Sequence, residues 1–229
     1  MDRNRSGKSF IQKIQDARGV AQPLIVSPSM TDNLYRGVSI YLSVPLAKAK
    51  VSANQITVFW ILLGLFGLVA LAAPKYGVRV AGAVLINVSY LFDYVDGEVA
   101  RLHGRSSRWG LFLDLVGHGL IKTALFLAIG YRIVLATGRF EYLILAILAC
   151  VGISNGHATV AYGEVAGVAM QRRTGAVPTG TTSKSNFRKL LFLAGYAFES
   201  VGIFGTVLLG AILDRLDWVL LLYGCFGPL

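Results

Sequence analysis

The sequence predicts an all-α integral membrane protein, a bundle of about six transmembrane helices preceded by a cytoplasmic amphipathic segment. Three observations predict it. Hydrophobic residues make up 55% of the 229 positions. Mean hydropathy is +0.61, well above that of an ordinary soluble domain. Long apolar runs recur along the chain, and the cationic residues are shared unequally between the breaks that separate them.

The N-terminal 30 residues are polar and basic, with Arg3, Arg5, Lys8, Lys13 and Arg18. Phe10, Ile11 and Ile14 sit at roughly helical spacing, which suits an interfacial or disordered arm. This stretch lacks a continuous apolar core, so no secretory signal is expected in it. Residues 31–50 read as a second amphipathic segment, capped by Thr31 or Asp32. Leu34, Val38, Tyr41, Leu42 and Val44 are its expected apolar side. Residues 1–50 thus form an arm, and 51–229 the transmembrane domain.

Ser52 and Gln55 form a capping box that starts the first span, about 54–73. Pro74 and Gly77 punctuate its end. Further spans are expected at about 78–101, 108–136, 140–165 and 188–212. A sixth begins near Trp218 with about a dozen residues, fewer than the ~20 needed to cross a bilayer. Either the last helix is short or the chain is truncated. Cys150 and Cys225 lie in apolar runs, so neither a disulfide framework nor a Cys-rich zinc site is expected.

Of the 22 Lys and Arg residues, 16 fall before span one, between spans two and three, or between spans four and five. Five fall on the other side, and Lys122 is inside span three. The positive-inside rule then places the N-terminus and both basic loops in the cytoplasm. The net charge of +10, distributed this way, suits an anionic membrane surface and phosphate ligands; no nucleic-acid partner is expected.

Carboxylates in apolar surroundings are costly unless compensated. Asp93, Asp96 and Ala100 share one helix face, and Asp114 and His118 share another. By helix rise, Asp96 lies roughly 8 Å from the cytoplasmic end of span two and Asp114 about 9 Å inside span three. At matched depth on consecutive helices, they can meet in a pocket open to the cytoplasm and hold a divalent cation.

These positions resemble the signature of the CDP-alcohol phosphotransferase family, D-x2-D-G-x2-A-R-x8-G-x3-D-x3-D. Asp93, Asp96, Gly97, Ala100, Arg101, Gly110 and Asp114 match it, and His118 stands where the family has its last Asp. Ser52, Ala53, Asn54 and Thr57 are similar to the family's P-N-x-x-T entry to its first membrane helix. The resemblance implies a donor linked to CDP, a hydroxyl acceptor such as a lipid or polyol phosphate, and release of CMP in phospholipid or related phosphodiester synthesis. It implies Mg²⁺ or Mn²⁺ on Asp93, Asp96 and Asp114. It assigns the nucleotide to Asn54, Thr57, Gly97, Ala100, Arg101 and Gly110.

In the family the last Asp deprotonates the acceptor. His118 can act as such a base near neutral pH, but it is a poorer ligand for Mg²⁺ than a carboxylate. A working base, a weakened second metal site, and altered or lost activity are the three readings. Glu98 and His103 read as outward-facing or loop residues, and His157 as a packing histidine.

Bland readings stand beside these. Glycine and alanine in membrane helices serve close packing, and Arg101 at a boundary serves topology. The basic loop from Gln171 to Lys189 obeys the charge rule, although Arg172, Arg173 and Arg188 are candidates for docking an anionic acceptor or headgroup. An ion or proton transporter with a buried Asp/His cluster is the competing class; it has no need of Gly97, Ala100, Arg101 and Gly110. A non-catalytic nucleotide-binding relative is a third. The lipid bilayer is an expected partner of such a chain, and a homodimer is compatible with it. Lys122 and Glu199 reach similar depths and are expected to pair; the alternative is that Lys122, which shares a helix face with Asp114 and His118, faces the active-site cavity and attracts an anionic substrate.

Overall fold

A computed structural model of the chain describes residues 10–22, 30–104, 107–154 and 200–226, and the described elements are helices, with no strand among them. They are α1 (Phe10–Ala21), α2 (Met30–Lys48), α3 (Ala53–Leu71), α4 (Tyr76–Leu102) and α5 (Arg108–Thr137). Three shorter ones follow: α6 (Glu141–Ser154), α7 (Ser200–Ile212) and α8 (Leu216–Phe226). By length and composition α3, α4 and α5 can each cross a membrane. The first three expected spans therefore hold to within about two residues. Parts of the other expected spans are present as the shorter apolar helices. Residues Arg172, Arg173 and Arg188, His157 and Glu199 lie outside the described residues, and with Glu199 the expected pairing to Lys122 does.

Two compact units are present. The first is Met1–Ala70 with Ala81–Ile121, and it contains every described residue matched to the signature. In it α3 starts at the expected capping box: Gln55 N–H donates to Ser52 Oγ at 3.3 Å, and Ser52 N–H donates to Gln55 Oε1 at 2.9 Å. Helices α3, α4 and α5 approach closely at small residues. A Cβ at position 64 would lie 2.7 Å from Ile121 Cδ1 and 2.9 Å from Ser89 Oγ. One at position 67 would lie 2.9 Å from the Gly82 carbonyl. Ser89 Oγ itself donates to the Trp60 carbonyl at 2.7 Å, stitching α4 to α3.

The N-terminal helices pack against α4 in the same unit. Ile14 and Ala21 of α1 join Ile40 and Val44 of α2 in one buried cluster, with Leu102 against it. Tyr35 stacks on Tyr94, meets Tyr90 edge-on, and donates to Asn87 Oδ1 at 2.8 Å. Burial pushes the Tyr35 phenol above its ordinary pKa. Nearer the other end of α2, His103 Nε2 lies 3.0 Å from the Ala47 carbonyl. Contacts thus ascend together along both helices, so α2 and α4 run in the same direction. Helix α2 ends in a Schellman turn, with Val51 N–H on the Leu46 carbonyl and Lys50 in the left-handed region at φ 58°.

Three expectations change here. Helix α2 begins at Met30, so Thr31 and Asp32 lie inside it rather than capping it. Its buried side matches the expected apolar one only in part: Val44 is buried and Leu42 packs against the core, but Leu34, Val38 and Tyr41 are 66%, 46% and 50% exposed, and Ser39, Ile40 and Ser43 are buried instead. Glu98 is the reason, and it is the third correction. It is not outward-facing but 1% exposed. Ser39 Oγ and Ser43 Oγ each donate to it at 2.6 Å, and Gln22 Nε2 at 2.8 Å. A buried carboxylate must be compensated, and the serines of α2 do that, turning the polar side of the helix inward.

The second unit is Leu71–Val80 with Lys122–Leu229. Arg79, itself buried, pairs with Asp214 and donates to the Pro74 carbonyl. Tyr76 Oη donates to the Ile212 carbonyl at 2.7 Å. Gly130 lets α5 approach α6 at Ala146, and Gly224 of α8 sits against Leu145. Cys150 and Cys225 are free thiols.

Candidate active site

The site lies in the first unit, where α3, α4 and α5 converge beside the end of α1. A cavity of about 590 Å³ is lined by Asn54 and Thr57 from α3 and by Asp96, Gly97, Ala100 and Arg101 from α4. Gly110 and Asp114 from α5 close it, with Val20, Ala53, Gly104, Ser107 and Leu111 at its edges. The volume suits a nucleotide-sized ligand. All six residues expected to contact a nucleotide therefore face one cavity, together with Asp96 and Asp114. Asp93 and His118 stand close by, around Asp114.

Local structure explains the shape. Ser107 caps α5: Gly110 N–H donates to Ser107 Oγ at 2.9 Å. At position 110 a Cβ would lie 2.7 Å from Asn54 Oδ1 and 3.0 Å from Ser107 Oγ, so any larger residue requires both side chains to move. On α4, a Cβ at position 97 would meet the Arg101 guanidinium at 3.3 and 3.4 Å. The guanidinium therefore folds back over Gly97, on the cavity wall. Gly104, at φ 61°, follows α4 in the left-handed conformation that glycine adopts without strain.

The acidic residues divide into two sets. Asp93, Asp114 and His118 form a group whose ligating atoms lie within 4.8 Å of one another. His118 Nε2 is 3.2 Å from Asp93 Oδ1 and 3.5 Å from Asp114 Oδ1. Two hard anionic oxygens and an imidazole on two rigid helices suit a divalent cation. Asp96 is held differently. It is 7% exposed, and its Oδ2 accepts from Thr57 Oγ1 at 2.6 Å and from Trp60 Nε1 at 2.9 Å. Thr57 Oγ1 also lies 3.0 Å from the Ala53 carbonyl, the alternative acceptor for its single proton.

Sequence reasoning missed Trp60 and Ser107. Trp60 stands three residues after Thr57 on the same helix face, and its ring lies 5.3 Å from that of His118. That spacing was available in the sequence, although tryptophan in an apolar span reads as packing. Ser107 directly precedes span three, which is an N-cap signal.

Comparison with known proteins agrees with this geometry. The family model described as CDP-alcohol phosphatidyltransferase matches residues 50–213. The chain is 35% identical over 124 residues to a phosphatidylinositol phosphate synthase of Corynebacterium glutamicum, covering 54% of this chain and 56% of that protein. It is 34% identical over 104 residues to the phosphatidylinositol phosphate synthase of Streptomyces avermitilis, covering 43% and 41%. Over 85 residues it is 40% identical to a bifunctional IPC transferase and DIPP synthase of Aquifex aeolicus, covering 37% and 18%. In each case the match spans less than two thirds of the relative's length. With a family match over well more than half of its length and seven of eight signature positions lining or flanking one cavity, the chain belongs to the CDP-alcohol phosphatidyltransferase family.

Proposed function

We propose that the protein is a membrane transferase that moves a substituted phosphoryl group from a CDP-linked donor to an acceptor hydroxyl, releasing CMP, in phospholipid or related phosphodiester synthesis. One observation carries the reading: a nucleotide-sized cavity whose wall combines Gly97, Ala100, Arg101 and Gly110 with an Asp114 that also belongs to a group of ligand type and spacing suited to a cation. A transporter would need the acids but not the glycine-lined wall or the arginine folded over it. The N-terminus and the mouth of the cavity face the cytoplasm in this reading, supported by the charge bias.

The residues divide the work. Gly97, Ala100 and Gly110 let the nucleotide lie against helix backbone, with Asn54 and Thr57 beside it. Arg101 offers its guanidinium to phosphate oxygens. Asp93 and Asp114, with Asp96 nearby, would hold Mg²⁺ or Mn²⁺, and such an ion would offset charge on the diphosphate and on departing CMP. In the reaction the acceptor oxygen bonds to the β-phosphorus. The bond from that phosphorus to the bridging oxygen breaks, and CMP leaves with that oxygen. The acceptor's proton goes to His118, whose imidazolium is then stabilised by the carboxylates of Asp93 and Asp114. Arg172, Arg173 and Arg188 are the candidates for docking an anionic acceptor.

A second reading of His118 has a specific observation behind it, the position of Nε2 inside the ligand group, which makes it a cation ligand rather than the base. One experiment tests both. CMP release is followed in nanodiscs with a panel of CDP-alcohols and hydroxyl acceptors, across a Mg²⁺ and Mn²⁺ titration. The base reading predicts that His118→Ala loses turnover on the order of 10²–10⁴-fold at an unchanged cation requirement. The ligand reading predicts recovery at higher cation concentration. His118→Asp retains or raises activity under either. If no CDP-alcohol yields CMP from the wild-type protein, the transferase reading falls.

A further inference from the structure

We infer that Glu98 is a positioning residue for the donor's diphosphate, acting through the end of α1 on Arg101. The inference rests on the transferase reading and adds a part to it. Within the signature, Asp96, Gly97, Ala100 and Arg101 line the cavity, whereas Glu98 does not line it and is buried. Its three donors come from α2 and from Gln22, the residue after α1. Gln22 Nε2 also donates to the Arg36 carbonyl at 2.6 Å, so its amide is pinned at two points.

That pinning fixes the neighbouring peptide. The Ala21 carbonyl accepts a hydrogen bond from Arg101 Nε. Arginine has five N–H donors in a rigid plane. With Nε committed to a fixed carbonyl, the plane of the guanidinium is set, and Nη1 and Nη2 lie over Gly97 on the cavity wall. A fork held this way meets phosphate oxygens without losing further rotamer freedom. Val20, one residue before Ala21, lines the same cavity, so α1 is part of its wall. The order of action is Glu98 on Gln22, Gln22 on the Ala21 carbonyl, that carbonyl on Arg101, and Arg101 on the diphosphate.

The geometry also says which replacement of Glu98 is tolerated. Oε1 accepts from both Gln22 and Ser39, whereas Oε2 accepts from Ser43. Ser43 Oγ has a second acceptor, the Ser39 carbonyl at 3.0 Å. In Glu98→Gln the amide oxygen can keep the Oε1 position, and the amide N–H can donate to Ser43, which turns to the Ser39 carbonyl. Glu98→Gln therefore preserves the relay and Glu98→Ala breaks it.

The test uses calorimetric binding of CDP and of cytidine to the full chain in nanodiscs with Mn²⁺ present. Loss of orientation should show in the phosphate contribution alone. Gln22→Ala and Glu98→Ala are expected to weaken CDP about tenfold and cytidine less than about threefold. Glu98→Gln is expected to stay within about threefold of wild type for both. Gln22→Ala decides the matter if Glu98→Ala does not fold. Equal losses of CDP and cytidine affinity would mean that the arm merely supports the fold, and unchanged CDP affinity would remove the relay; either overturns the inference alone. A wild-type protein that binds no CDP overturns the functional reading, and this inference with it.

Discussion

Gly117 and Gly119 stand two residues apart on α5, and alanine should act oppositely at the two. At 117 a Cβ would lie 2.6 Å from Trp60 Cη2 and 2.7 Å from Ile61 Cδ1, about an ångström inside van der Waals contact. At 119 nothing lies within 4 Å. Each substitution gains the same helix propensity, about 1 kcal/mol. Only Gly117→Ala suffers overpacking, which costs about 1–3 kcal/mol when the neighbour is stiff. Ile61 can turn its terminal carbon, but the Trp60 indole is held by its hydrogen bond to Asp96 and by contact with His118. The propensity term cancels between the variants, so their difference isolates the close approach of α3 and α5. For a chain of this size about 1 kcal/mol corresponds to roughly 2–4 °C, so the melting temperatures should differ by roughly 2–12 °C. Thermal unfolding in detergent reads this directly, with Gly119→Ala the more stable variant. Gly117→Ala should also lose CMP release, since a displaced Trp60 carries Asp96 with it. Equal melting temperatures, or a Gly119→Ala variant less stable than Gly117→Ala, would refute the packing argument.

Two further outcomes follow from other parts of the fold. Thr57→Val keeps the side chain's shape but removes the 2.6 Å donor to Asp96, and should lower stability by about 1.5–3 kcal/mol; a melting temperature equal to wild type would show that Asp96 does not depend on that bond. Cysteines replacing Leu34, Val38 or Tyr41 and carrying a fluorophore should be quenched by spin-labelled acyl chains, because these exposed apolar positions form the outward side of α2; quenching by aqueous iodide alone would place that side in water.

Much of the site is legible in the amino-acid sequence itself. Metal ligation and phosphate binding demand particular residue types at helical spacing, and helix rise is constant enough that Asp96 and Asp114 come to matched depth by arithmetic alone. The first three spans are legible for a related reason: twenty apolar residues and a capping box are local properties, and Ser52 with Gln55 forms the expected reciprocal bonds. What the sequence does not contain is the partner of each polar group. Glu98 sits beside residues that face the cavity, and nothing in its own spacing reveals three donors arriving from 55 to 76 residues away. Likewise, hydropathy assigns the inward side of α2 to its larger apolar residues. Tertiary structure assigns it to Ser39 and Ser43 together with Ile40 and Val44, because an ionisable group already buried on α4 is costlier to leave unpaired than an apolar side chain is to leave at a surface. Asp96 is drawn to Thr57 and Trp60, and His118 toward Asp93 and Asp114, by the same local economy of donors and acceptors. Residue type and period determined which chemistry the chain carries; packing between helices decided which atoms meet.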